Sequence, residues 1–132
     1  MPSNKPVPGT PDNWLSRAMG DLAIAQIALP EKACYADLCF HAQQAAEKAI
    51  KAVYLHHKMT FRYTHDLEIL IVTLTQQGID VPQKVKECAF LSVFAWETRY
   101  PGFEDSVTIE EYQNVIHKAE IVVAWAEQAL GS

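Results

Sequence analysis

A chain of 132 residues is long enough to bury one hydrophobic core and too short for two domains of ordinary size. Hydrophobic residues make up 49% of it and charged residues 20%, a balance that excludes a wholly disordered chain. The formal net charge of -5 argues against the broad positive field with which proteins hold long nucleic acids, and leaves room only for a local basic pocket.

Met1 to Pro11 carries Pro2, Pro6, Pro8 and Pro11 without an apolar stretch. It reads as a flexible Pro-rich tail over 1–11, not a signal peptide, ahead of one domain over 12–132. From Asp12 to about Ala28, the residues Trp14, Leu15, Ala18, Leu22, Ala25 and Leu29 recur at three- and four-residue steps, which predicts one buried helical face. Thr10, Asp12 or Asn13 can cap this helix, and Pro30 closes it.

The segment from Tyr35 to about His57 contains neither Gly nor Pro and is rich in Ala, Leu, Gln, Glu and Lys, all strong helix formers. Leu38, Ala42, Ala45, Ala46, Ala49, Ile50 and Val53 share one side, and its alanines let another helix approach closely. The opposite side carries Phe40, Gln44, Glu47, Lys51 and Tyr54, with Lys48 adjoining. Glu47 and Lys51 form a favourable i,i+4 pair. Large aromatic residues on either side of these polar groups point to a polar network against a neighbouring helix or a second copy, with ligand binding and a solvated face as the alternatives.

After a short connection, Thr64 is placed to cap a third helix through Leu67, Leu70, Ile71 and Leu74, ending at Gln77-Gly78. Pro82 suits the first turn of a fourth helix with Val85, Ala89, Phe90, Val93 and Phe94 on one face, stopped by Pro101 and Gly102. The last helix starts near Thr108, with Glu110 and Glu111 at its positive end, and runs through Tyr112, Ile116, Ala119, Val122, Val123 and Ala126 to Leu130. The fold expected is all-α, an up-and-down antiparallel bundle of four to five helices.

No apolar run has membrane-spanning length, so no membrane contact is expected. Cys34, Cys39 and Cys88 are odd in number and lack Cys-x-x-Cys spacing, which argues against a disulfide framework or structural zinc and fits a reducing, cytoplasmic setting. His56 and His57 are consecutive, hence divergent on a helix, and no metal or other cofactor is expected.

The run CFHAQQAAEKAIKA at 39–52 resembles the second-helix signature of HEPN domains. Thr64-His65-Asp66-Leu67 and Arg99-Tyr100-Pro101 follow in that family's order, and the likeness extends over roughly residues 12 to 130. The resemblance implies a helical bundle, commonly a homodimer, often paired with a minimal nucleotidyltransferase as a toxin and antitoxin. Some members are metal-independent ribonucleases that use an Arg and a following His, which here corresponds to Arg99 and a His at 104, 105 or 106. Those positions hold Glu104, Asp105 and Ser106, so the nuclease pattern is degenerate and no catalytic residue is assigned.

Arg99, Tyr100, His65 and Lys51 are therefore the candidates for contacting a nucleotide or RNA, with Trp96 and Phe103 as aromatic neighbours of Arg99 in sequence. Phe40, Gln44, Glu47, Lys48 and Tyr54 are the candidates for a polar network or dimer interface. The leading expectation is a homodimer that binds a nucleotide, RNA or a partner nucleotidyltransferase without cutting RNA. The alternatives are an endoribonuclease toxin that uses Arg99 with a non-standard base such as His65, and a purely structural dimer.

Overall fold

A computed structural model describes residues 6–96 and 107–131. Thr10 starts the first helix by accepting from the Asn13 amide at 3.2 Å, and Pro11 occupies the position where a missing N–H costs nothing. This helix, α1, runs over Pro11–Ala25. It stops earlier than the apolar spacing predicts. Gln26 and Ile27 bond back to the carbonyls of Ala23 and Ile24 in a tightened last turn, and Leu29, just ahead of Pro30, lies outside the core.

The second helix, α2, spans Tyr35–His56 and forms the axis of the bundle. Its alanines at 42, 45, 46 and 49 are fully buried, and α1 packs along it. Of the side expected to carry a polar network, Glu47, Lys51 and Tyr54 are buried within the subunit together with Gln43, while Phe40 and Gln44 are half-buried. The long helix needs more covering than one neighbour supplies, and the chain following it provides that cover.

Helix α2 ends in a Schellman turn. Lys58 N–H donates to Leu55 O at 3.0 Å and Met59 N–H to Tyr54 O at 2.9 Å, with Lys58 at φ 59° in the left-handed region. The third helix, α3, covers Leu67–Gln76 and ends in the same motif, there with Gly78 at φ 88°. Its cap is Asp66, which accepts from Glu68 N–H, and not Thr64 as expected. The Thr64 hydroxyl sits two residues earlier and accepts from Asp66 N–H.

The predicted fourth helix divides into a short α4, Gln83–Lys86, and a 3₁₀ helix, Ala89–Ala95. Ser92 explains part of the change: its hydroxyl donates to Ala89 O and accepts from Leu67 N–H at 2.8 Å, joining the tight coil to the start of α3. Three residues per turn bring Cys88 and Leu91 onto one buried edge. Phe90, expected on the inner face, is 44% exposed.

Thr108 caps α5, Ile109–Ala129, by accepting from Glu111 N–H. Val115 and Trp125 join the expected buried residues of α5, which packs on α2 and α1. The result is an all-α, up-and-down antiparallel bundle around one core, with no strand among the described residues. No helix among these residues is long and apolar enough to cross a membrane.

Candidate functional site

Glu47 is the centre of a polar network held by the middle of α2. Its Oε1 accepts from Gln43 Nε2 at 3.1 Å and lies 2.8 Å from His65 Nδ1, while its Oε2 accepts from Lys51 Nζ at 2.9 Å. Gln43 also reaches His65 O at 3.3 Å, and its own oxygen accepts from Gln44 Nε2 at 2.7 Å. Positions 43, 47 and 51 follow at one-turn intervals, so a single ridge of α2 supplies three of these groups.

Burial divides the network into a fixed interior and an open end. The Glu47 and Lys51 side chains are 5% and 7% exposed, whereas that of His65 is 55% exposed. A charged carboxylate only accepts, so its bond to His65 places the imidazole proton on Nδ1 and leaves Nε2 of the neutral ring as an acceptor. No other bond of the His65 ring occurs among the described residues.

Lys51 has a second layer of partners. Its ammonium lies 5.0 Å from the Phe61 ring centroid and 5.9 Å from those of Trp14 and Tyr63. Ring faces carry negative quadrupole charge, so they help to hold a cation removed from water. Phe61 packs edge-on against Trp14 and Tyr54, and Tyr54 OH donates to Leu70 O at 2.6 Å. The connection between α2 and α3 thus closes over the polar ridge.

The candidate residues fall into separate groups. Gln44, Glu47, Lys51 and His65 share the network, and Tyr54 lies behind it against Phe61. Lys48 instead meets Asp21 of α1 at 2.6 Å, and Asp21 also meets His41 at 3.2 Å. Phe40 is half-buried beside His41. Arg99, Tyr100 and Phe103 lie outside the described residues, and Trp96 is 42% exposed.

Sequence reasoning missed Gln43, Asp21, Trp14, Phe61 and Tyr63 as site residues. Gln43 was detectable from its four-residue spacing to Glu47. The others come together only through tertiary packing. No group of His, Cys, Asp and Glu among the described residues is arranged to hold a metal ion.

The HEPN domain family model matches residues 12–129. The chain belongs to the HEPN family. A solved structure of an archaeal HEPN homologue superposes with a TM-score of 0.75 at 24% identity, covering 92% of this chain and 98% of that one. No curated protein gives a significant match.

In this HEPN domain, the network offers two chemical capacities. Glu47 fixes the tautomer and direction of the His65 ring, as an orienting carboxylate does for a histidine that binds or exchanges a proton. Lys51 balances the carboxylate from the inside. The Glu47 charge is thereby compensated without using the exposed edge of His65.

Proposed function

We propose that this HEPN domain is a homodimeric binding module for a nucleotide or a short single-stranded RNA, and that His65 is a ligand-facing group of it. The observation that carries this reading is the Glu47–His65 pair: a buried, charge-balanced carboxylate holds one half-exposed imidazole by Nδ1 and leaves Nε2 available. An imidazole nitrogen in that setting can accept from a ribose hydroxyl or a base edge, or donate to phosphate when protonated. Arg99 and Tyr100 enter this reading from the sequence alone. The homodimer, and pairing with a minimal nucleotidyltransferase in a toxin-antitoxin setting, rest on the family resemblance.

The test is calorimetric titration of the protein with nucleotides and a short single-stranded RNA, together with sedimentation for the dimer. Binding that drops in His65→Ala, with the melting temperature unchanged, supports the reading. No affinity across the panel leaves a dimer whose network only packs.

The same pair favours a second reading, an endoribonuclease in which His65 takes the 2′-hydroxyl proton. Incubation with labelled RNA in the presence of chelator separates the two. Cleavage lost in both His65→Ala and Arg99→Ala establishes catalysis, and intact RNA leaves the binding module.

A further inference from the structure

The first turns of α1 and the middle of α2 border a hollow of about 330 Å³, lined by Gly9, Asn13, Trp14, Arg17 and Lys48. It adjoins the Glu47 network through Trp14, whose ring also faces Lys51. Among the described residues no carboxylate lines it, although Asp21 pairs with the Lys48 ammonium at 2.6 Å. The hollow against Trp125 includes Asp80, and the one against α3 includes Glu68.

Its polar side chains are donors. Arg17 is exposed and makes no hydrogen bond or ion pair among the described residues, so its planar fork of N–H groups remains unused. Asn13 spends its oxygen on Gly9 N–H at 3.0 Å, which leaves its amide nitrogen to donate. Lys48 shares Asp21 with His41 and retains further ammonium donors. Three donor-bearing side chains and one indole in the lining suit an anion attached to a flat ring, and the volume is that of a small-molecule site.

We propose that this hollow binds a phosphate monoester carried by a nucleobase, either a free nucleoside monophosphate or the phosphorylated end of an RNA. Arg17, Asn13 and Lys48 receive the phosphate and Trp14 stacks on the base. The identity of the base rests on the binding reading above, and the phosphate follows from the hollow itself. A single terminal phosphate also suits a protein of net charge -5, which has no field to hold a long backbone.

The experiment titrates the whole chain with AMP, adenosine and inorganic phosphate, and with one short RNA bearing either a 5′-phosphate or a 5′-hydroxyl. The proposal expects AMP to bind about tenfold or more tightly than adenosine, the scale of a charge-assisted contact. Arg17→Ala should abolish that preference, and Arg17→Lys should keep part of it. Arg17 is exposed and unpaired among the described residues, so an unchanged melting temperature is expected in both variants.

A matching preference for the phosphorylated RNA identifies an RNA end as ligand, and a preference confined to AMP identifies the free nucleotide. Equal affinity for AMP and adenosine, or a preference that survives Arg17→Ala, overturns the proposal. RNA bound through His65 with no effect of any phosphate rejects the hollow and keeps the binding module. AMP held through Arg17, without RNA binding that depends on His65, keeps the hollow and rejects His65 as the RNA contact.

Discussion

Glu47 Oε1 and His65 Nδ1, eighteen residues apart in the chain, meet at 2.8 Å and tie the middle of α2 to the residue before the cap of α3. The bond matters because its two ends lie in different environments. The carboxylate is buried beside Lys51, and the imidazole is half in water.

Removing the carboxylate leaves Lys51 as a buried cation without its counter-charge and Gln43 without one acceptor. Glu47→Ala is therefore expected to destabilise the fold by about 3 to 5 kcal/mol, measured by urea unfolding. The double variant Glu47→Leu, Lys51→Met should lose far less, because it removes both charges together. It should still lose His65-dependent binding, which separates the fold from the site.

Lys58 holds a left-handed position that Gly78 fills in the equivalent turn at the end of α3. Lys58→Gly is expected to raise stability by about 1 kcal/mol, since the strain relieved exceeds the backbone entropy lost. Gly78→Ala should lower it by a similar amount. Thermal melts of the two variants give the comparison.

The Ser92 hydroxyl accepts the buried Leu67 N–H at the first turn of α3. Ser92→Ala leaves that donor unsatisfied and should cost about 1 to 3 kcal/mol. Faster amide exchange at Leu67 than in the unmodified protein is the specific readout.

Burial pushes the thiol of Cys39 up to about 12 and that of Cys88 up to about 11, against an ordinary value of 9.0. Below pH 9 both thiols are protonated in the folded and unfolded chain alike. As pH rises from there towards the folded values, the unfolded chain releases these protons first, so stability falls. Cys39→Ala with Cys88→Ala should flatten the decline of melting temperature between about pH 9 and 11. An equally steep decline in the double variant contradicts this origin.

The apolar spacing of α1, α2 and α5 made these helices legible in the sequence, because each carries a continuous stripe and a clear start. The 3₁₀ segment was not, since Phe90, Val93 and Phe94 fit a 3.6-residue period equally well and only the Ser92 bonds to Ala89 and Leu67 mark the tighter coil. At the site, Glu47 and Lys51 stood out by spacing, but their burial did not. The cover comes from Trp14 and Phe61, which meet Lys51 only when α1 and the α2–α3 connection fold over it, whereas the Tyr63 ring near the ammonium stays exposed. Lys48 looked like part of the same face until its pairing with Asp21 placed it against α1.

Nitrogen NMR of the His65 ring during titration with AMP and a short RNA shows whether the imidazole held by Glu47 faces the ligand. The expected result is a proton on Nδ1 in the neutral ring and an Nε2 resonance that moves as the RNA or nucleotide saturates. An Nε2-protonated neutral ring, or an Nε2 resonance that stays unchanged at saturation with the RNA and with AMP alike, contradicts it.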